Sequence, residues 1–348
     1  MDTLFVLTGN CTLKTVESAK EKKLVTTVRA TLACCHKPVS IRRVQFVLLV
    51  TRYVKFSNSS MTRKMIDFSK LSEDGLREFK NRYDAYIFDM DETLIQQNGS
   101  PIEGVEEALN EIAENGKSIM VFTDNCLAVL KDVAERLNGL FPVIKKENIM
   151  NAGHLVVRYL KEINFKKKVY VIGSENGIIA DLKDSGFDVL YENQVRVGAV
   201  VIGSDLNFNY LKMFNATNYL ADPEVLLIQT HVPVVVAYNP IIPGVGAIIA
   251  SLKAVSGRKD STATGKGSDY CSKYLKSFGF PAERCLFVGD GISNDVVAGN
   301  RTGMDTMLVL TGASSLENVE KARAENLHEQ IPTYYANSVA DLIKAFKT

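Results

Sequence analysis

Short apolar runs alternate along the chain with segments whose apolar residues recur every three or four positions, and this alternation begins at Tyr83. Short apolar runs bounded by polar residues are typical of buried strands, whereas the longer period indicates amphipathic helices. The apolar runs predict strands at 85–88, 119–122, 169–172, 197–202, 225–228 and 286–288. Strands that alternate with helices favour an α/β fold with a parallel sheet.

The clearest helix follows the first of these strands. Its apolar face is formed by Val105, Ala108, Leu109 and Ile112. Asn115 and Gly116 then provide a stop signal. Further helices are predicted from Val245, through Leu275, and at the end of the chain. The last one begins after Ser338 and has an apolar face of Val339, Leu342, Ile343 and Phe346.

Length and composition indicate a globular protein of two domains. The chain has 348 residues, of which 46% are apolar and 23% are charged, and domains average about 150 residues. The net charge of +1 gives no reason to expect a nucleic acid or an anionic membrane as partner. No apolar run approaches the roughly 18 residues that cross a bilayer. The six cysteines contain no CxxC pair, which fits a reducing compartment, so we expect a cytoplasmic location.

The charge is distributed unevenly. Residues 1–60 form a basic N-terminal extension with ten lysines and arginines and three acidic residues, so the rest of the chain is acidic. One interpretation is a mitochondrial transit peptide, which would change the expected location. The interpretation we favour is a mis-assigned start, with Met61 or Met65 as the initiating residue, because the extension lacks the amphipathic pattern of a transit peptide.

Four polar motifs follow strands or precede helices. Asp89 and Asp91 come directly after the first strand, and Thr123 ends the second. Lys266 precedes a helix, and a loop from Asp290 to Asp295 follows a later strand. Each motif alone has an ordinary explanation as a turn, a cap or a surface residue. Because open α/β sheets bind ligands at the carboxyl ends of their strands, we expect the four to share one site.

This set of motifs resembles the haloacid dehalogenase-like phosphohydrolases. Only 29 residues separate the Asp89 motif from Thr123, whereas 142 separate Thr123 from Lys266. A long insertion at the second place is similar to the layout of the 4-nitrophenylphosphatase, phosphoglycolate phosphatase and pyridoxal phosphate phosphatase branch. The resemblance implies a Rossmann-like core at 61–125 and 240–348 and an inserted α/β cap at 126–239. Caps of this branch often dimerise, which implies a homodimer through the cap.

The resemblance also implies an Mg²⁺-dependent phosphatase that acts on small phosphate monoesters. Asp89 would be the nucleophile that forms an aspartyl-phosphate, and Asp91 the general acid and base. The metal would be held by Asp89, Asp290 and the backbone carbonyl of Asp91, while Asp295 would orient a metal-bound water. Cations are needed at such a site because a carboxylate 4 Å from a phosphate dianion is repelled by about 8 kcal/mol at an effective dielectric constant of 20.

Phosphate binding would involve Thr123, Asp124, Asn125 and Lys266, and the substrate would be a small phosphorylated metabolite. Three residues depart from the branch's usual pattern: Glu92 replaces glycine, Asp124 replaces asparagine and Gly267 replaces proline. We expect Asp124 either to contact a cationic part of the substrate or to weaken catalysis. The departures leave open a catalytically weak phosphate-binding regulatory relative, and phosphotransferase action is a further alternative.

Two other polar residues could lie near the site. His231 follows the strand 225–228, and Cys126 lies just after Thr123. We expect His231 to be a loop histidine without a ligand role, and Cys126 to be a buried residue at the start of a helix rather than an oxidisable thiol. The identity of the substrate cannot be deduced from the cap residues.

Overall fold

The computed structural model describes residues 65–190, 196–231, 235–238 and 241–347. The basic extension at 1–60 and the alternative start at Met61 lie outside these ranges. In chain order, the strands are β1 (Ile66–Asp67), β2 (Ala85–Phe88), β3 (Ser118–Thr123), β4 (Ile149–Asn151), β5 (Val169–Ile172), β6 (Val189–Leu190), β7 (Ala199–Ile202), β8 (Leu226–Gln229), β9 (Val235–Tyr238), β10 (Ile241–Pro243), β11 (Thr262–Ala263), β12 (Cys285–Gly289), β13 (Asp305–Val309) and β14 (Tyr334–Ala336).

Eleven α-helices in the described residues range from four to twelve residues. They are α1 (Glu73–Arg82), α2 (Val105–Glu114), α3 (Leu130–Leu140), α4 (Ala152–Glu162), α5 (Ala180–Asp184), α6 (Tyr210–Leu220), α7 (Val245–Ser256), α8 (Asp269–Leu275), α9 (Val297–Thr302), α10 (Leu316–Ala324) and α11 (Ile343–Phe346). No helix among the described residues is both long and apolar enough to span a membrane. The predicted final helix is split, because a 3-10 turn at Val339–Leu342 precedes α11.

Two parallel sheets organise the described part of the chain. The core sheet has the order β1-β14-β13-β12-β2-β3-β4, and the cap sheet has the order β11-β8-β7-β5-β6. Every pairing within these two sheets is parallel. The predicted α/β class with a parallel sheet and an inserted α/β cap is therefore confirmed.

Alternation of side chains along each strand explains the layered packing. In β5, Val169 and Val171 point to one face and pack against apolar residues of α4 and α5. Tyr170 and Ile172 point to the other face and pack against α6 and α7. A strand buried on both faces reads as a continuous apolar run, which is why β5 could be predicted from its sequence.

The residues that belong to the cap sheet do not coincide with the predicted cap segment at 126–239. Strand β4 joins the core sheet, and α3 packs into the core cluster through Val133 and Leu137. Strand β11 joins the cap sheet, and α7 packs on it through Val245 and Ile249. We therefore propose that the cap extends from about 152 to 263. Short strands of two or three residues carry too little pattern to assign them to a sheet from sequence.

Candidate active site

The site lies at the carboxyl edge of the core sheet, where the order of the strands reverses. Strands β2 and β12 are neighbours, with Phe88 opposite Val288, and β3 lies on the other side of β2. Asp89 follows β2, Thr123 ends β3, and Asp290 follows β12. After β2 the chain continues to a strand on one side, and after β12 it continues to a strand on the other side. This divergence opens the crevice used for ligands in open α/β sheets.

Lys266 connects two acids of this crevice. Its side chain is fully buried, and Nζ donates to Asp89 Oδ1 at 2.5 Å and to Asp295 Oδ1 at 2.7 Å. Burial alone would lower the pKa of Lys266, but attraction to Asp295 and Asp89 outweighs burial and raises that pKa. The lysine therefore stays charged, and it holds one oxygen of each carboxylate in place.

Asp290 is held by the loop that follows β13. Its Oδ2 accepts the backbone N–H of Ala313 at 2.6 Å, and its carbonyl accepts that of Ser314 at 3.0 Å. A Cβ on Gly312 would collide with Asp290 Oδ2, so only glycine fits beside this carboxylate. Ala313 was not predicted from the sequence, because it acts through its backbone N–H, a group that does not depend on the type of residue.

Three buried carboxylates converge in this crevice. Single oxygens of Asp89, Asp290 and Asp295 lie within 4.8 Å of one another. Burial raises the pKa of all three, and mutual repulsion adds to this effect for Asp290. The pKa of Asp295 reaches about 7. When all three carboxylates are ionised, Lys266 balances only one of their charges, and their hard oxygen donors suit a divalent cation such as Mg²⁺.

The loop after β3 faces Asp91. Asn125 donates from Nδ2 to Asp91 Oδ2 at 3.2 Å, and its backbone N–H donates to Thr123 Oγ1 at 3.0 Å. Burial, followed by repulsion from Asp89, raises the pKa of Asp91 to about 6. An acid with this pKa exchanges its proton readily near neutral pH. The predicted residues Asp91, Thr123 and Asn125 are thus brought together.

Asp124 contacts the Lys266 loop. Its Oδ1 accepts the backbone N–H of Lys266 at 3.1 Å, which joins residues 142 positions apart. Its Oδ2 is buried and has no hydrogen-bond partner among the described residues. The carboxylate thus links two loops of the site through one oxygen, and its charge raises the pKa of both Asp89 and Lys266.

Comparisons with known proteins agree with this geometry. A family model for haloacid dehalogenase-like hydrolases matches residues 86–188, and a second model of HAD-hydrolase-like proteins matches 265–342. Chronophin of Rattus norvegicus is 31% identical over 284 residues, which cover 77% of this chain and 90% of that protein. The chain belongs to the haloacid dehalogenase-like hydrolase family.

Two further relatives match this chain over nearly their whole length. Phosphoglycolate phosphatase 2 of Arabidopsis thaliana is 30% identical, over 80% of this chain and 98% of that protein. The structure of a p-nitrophenyl phosphatase from Archaeoglobus fulgidus superposes with a TM-score of 0.67 at 28% identity, covering 76% of this chain and 99% of that one. The predicted resemblance to this branch of the haloacid dehalogenase-like family is confirmed.

Two of the residues that depart from the family pattern have a left-handed backbone conformation. Glu92, where the branch usually has glycine, has a φ of 56°, in the left-handed region that non-glycine residues rarely adopt. Gly267, where the branch usually has proline, has a φ of 76°. Because proline is restricted to a φ near −65°, this turn could not accommodate it. The Gly267 carbonyl accepts a hydrogen bond from Arg301.

His231 and Cys126 are both buried. His231 Nε2 accepts the backbone N–H of Val245 at 3.3 Å, and Nδ1 lies 3.2 Å from Thr230 Oγ1, so protein groups occupy both ring nitrogens. Burial lowers the pKa of His231 and raises that of Cys126. Cys126 is buried as expected, but it lies in the loop before α3 rather than at the start of that helix.

A cleft of about 230 Å³ opens between the Thr123 loop and the cap. It is lined by Leu127, Gly173, Ser174, Glu175, Asn176, Asp205, Leu206, Asn207 and Lys212. Lys212 pairs with the buried carboxylate of Asp205 at 2.7 Å, which neutralises both charges. Polar side chains outnumber apolar ones among these residues, but the surface they present to the cleft is mostly apolar, and Leu206 is exposed.

Proposed function

We propose that this chain is a phosphatase that hydrolyses small phosphate monoesters through an aspartyl-phosphate on Asp89. The observation that carries the proposal is the bridge from Lys266 to Asp89 and Asp295, next to Asp290 and Asp91. It combines a fixed carboxylate nucleophile, a buried cation and a second acid with a pKa near neutrality. A phosphatase of this kind also agrees with the relatives described above.

We propose that Asp89, Asp290 and the backbone carbonyl of Asp91 hold Mg²⁺. The mutual repulsion of the buried carboxylates, which a cation would relieve, supports a divalent cation there. Both oxygens of Asp295 already have protein donors, Lys266 Nζ and the backbone N–H of Gly291, which favours an orienting role for this residue. When bound, the cation would neutralise phosphate charge and polarise the phosphoryl oxygens.

Asp89 and Asp91 divide the chemistry between them. A carboxylate oxygen of Asp89 attacks phosphorus while the ester P–O bond breaks, and Asp91 gives its proton to the leaving alkoxide. In the second step Asp91 takes a proton from the water that attacks the aspartyl-phosphate, which regenerates Asp89. The hydrogen bond from Asn125 keeps Asp91 oriented through both steps.

The phosphate would be bound by Thr123, Asn125 and Lys266. Thr123 is buried at the end of β3, and its hydroxyl can donate to a phosphoryl oxygen while it accepts from the Asn125 N–H. Lys266 offers positive charge in a water-poor setting, where such a charge is most effective. Asp124 would act through the Lys266 backbone.

The cleft beside Leu127 would receive the leaving group of a small phosphorylated metabolite. Its volume of about 230 Å³ favours a compact group over a large one, and Asn176 and Asn207 offer amide groups that could hydrogen-bond to it. Replacing Asn207 with alanine should therefore change the ratio of kcat/KM among phosphate esters more than it changes kcat. An equal effect on all esters would contradict this placement.

The decisive test is metal-dependent hydrolysis of 4-nitrophenyl phosphate, followed by a panel of phosphorylated metabolites. The full chain should release phosphate with Mg²⁺, and Asp89→Asn should lower kcat at least about a thousandfold while it leaves the fold intact. Activity that persists in Asp89→Asn would refute the nucleophile. Phosphate found on an acceptor other than water would indicate a phosphotransferase, and binding without turnover a regulatory relative.

We also propose a homodimer formed through the cap. Helix α6 exposes Tyr210, Leu211 and Phe214, and Leu206 lies exposed just before it. A group of exposed apolar side chains on one helix is characteristic of an interaction surface. Light scattering should give twice the chain mass for the wild type and the chain mass for Phe214→Glu. A dimer that persists in Phe214→Glu and in Leu211→Glu would exclude this surface.

We propose that the protein acts in the cytoplasm. Cys126, Cys271 and Cys285 are buried free thiols, as expected in a reducing compartment. Cell fractionation with an antibody to the chain would test this, and a mitochondrial signal would favour a transit peptide in residues 1–60.

A further inference from the structure

Glu92 lies between the nucleophile loop and the loop that holds Asp290, and it contacts both. It follows Asp91 in the chain, and its backbone N–H donates to the Ile95 carbonyl at 2.7 Å. Its left-handed backbone conformation, with a φ of 56°, is one that glycine adopts far more readily. A non-glycine residue at such a position requires an explanation in its side chain.

The side chain of Glu92 holds the 92–100 loop. Its Oε1 accepts the backbone N–H of Gln97 at 2.7 Å. The tip of the loop is also closed by a backbone bond from Gln96 N–H to the Ser100 carbonyl at 2.9 Å. In addition, Asn98 Oδ1 accepts the Ser100 N–H at 2.9 Å, and Arg136 donates to the Gly99 carbonyl at 3.0 Å. The Glu92 carboxylate thus connects Gln97, near the tip of the loop, with the start of the loop, directly beside Asp91.

The backbone of Glu92 reaches the other side of the site. Its carbonyl accepts a hydrogen bond from Thr311 Oγ1. The next residue, Gly312, lies so close to both Glu92 Cβ and Asp290 Oδ2 that a Cβ would not fit, and Ala313 donates its N–H to Asp290. One residue therefore connects the 92–100 loop with the loop that orients a proposed metal ligand.

We propose that Glu92 is a positioning residue whose carboxylate fixes the 92–100 loop beside Asp91 and thereby orders the active site. This inference rests on the proposed phosphatase function. In a relative with glycine at this position, the backbone could adopt the same φ, but no side chain could bind the Gln97 N–H. The chain uses a charged acceptor where the family pattern relies on glycine.

The test compares five proteins, beginning with wild type and Glu92→Gln, which retains an acceptor oxygen. Glu92→Gly removes the acceptor and allows the positive φ, whereas Glu92→Ala removes the acceptor and retains the unfavourable φ. Gln97→Ala is the matched control, because Gln97 contributes its backbone N–H and its side chain is exposed. Thermal unfolding establishes that each variant is folded.

The direct measurement is amide hydrogen exchange of peptides covering 92–100 in the metal-free protein. We expect exchange in this loop to be about tenfold faster in Glu92→Ala and Glu92→Gly than in wild type, and protection to return in Glu92→Gln. With 4-nitrophenyl phosphate, the first two variants should lose about tenfold in kcat/KM, mainly in kcat, and Glu92→Gln should recover most of it.

Three results would overturn the inference: equal exchange in wild type and Glu92→Gly, a Glu92→Gln variant that behaves like Glu92→Ala, or a Gln97→Ala control that loses protection as Glu92→Ala does. An inactive wild-type chain would instead refute the proposed phosphatase function. The exchange measurement would still decide the role of Glu92 in the loop, so the two failures can be told apart.

Discussion

Replacing Lys266 with methionine should destabilise the metal-free protein, and more strongly at pH 8 than at pH 5. Methionine fills similar space but carries no charge. The substitution would leave Asp89 and Asp295 buried without the cation that contacts them at 2.5 and 2.7 Å in the wild type. Both acids would then lose the attraction that opposes the effect of burial on their pKa.

The magnitude follows from the two ion pairs. At an effective dielectric constant near 20, a unit charge pair at this separation attracts by about 6 kcal/mol. Desolvation of the buried groups offsets much of this attraction, and removing one partner of a buried pair typically costs about 3–5 kcal/mol. We expect a loss in that range at pH 8.

The pH dependence has a definite sign. A carboxyl group whose folded-state pKa lies above its unfolded value near 4 lowers stability as the pH rises from the unfolded pKa through the folded one. The pKa of Asp295 is already about 7 in the wild type, and removing Lys266 raises it further. At pH 5 the acids of the variant can bind protons and avoid part of the cost.

Urea unfolding with EDTA at pH 5 and pH 8 measures both effects. Lys273→Met, which changes an exposed lysine on α8, is the matched control and should stay within about 0.5 kcal/mol of wild type. A Lys266→Met loss below about 1 kcal/mol at pH 8, or a larger loss at pH 5 than at pH 8, would refute the reasoning.

Three substitutions test other features. Gly312→Ala should lower kcat at least about a hundredfold in the phosphatase assay, because its Cβ would displace Asp290, and near-normal kcat would contradict that crowding. Gly139→Ala, in α3 with open space around its Cα, should raise the free energy of unfolding by about 0.5–1 kcal/mol in urea, and a loss would indicate an unrecognised contact. Asp124→Asn retains an acceptor for the Lys266 N–H and removes a negative charge, so kcat/KM should rise about three- to tenfold on several esters. Unchanged values would show that Asp124 does not oppose phosphate.

Much of the fold could be predicted because buried parallel strands are continuous apolar runs. Strands β2 and β5 lie at the predicted 85–88 and 169–172, and α2 at the predicted apolar face from Val105. The limits of the cap were not predictable in the same way. Strand β11 has two residues, and its place in the cap sheet depends on pairing with β8, more than thirty residues earlier.

The site could be predicted only as far as residue types reveal chemistry. Acids after strands and a lysine before a helix identified Asp89, Asp290 and Lys266 as residues of one crevice. The orientation of the Asp124 side chain could not be deduced, because the group that it binds is a backbone N–H 142 residues away. The contact between Glu92 and Gln97 was hidden for the same reason, since hydrogen bonds to backbone groups depend on the path of the chain.

Strand β4 and helix α4 meet without an intervening loop, and Asn151 belongs to both. It is the last residue of a core strand, and its side chain accepts the His154 N–H at the start of the cap helix. Unfolding of the cap would therefore remove the end of a core strand, and loss of that strand would uncap the helix. Because the two sheets meet here without an intervening loop, we expect heat or denaturant to melt them in a single transition.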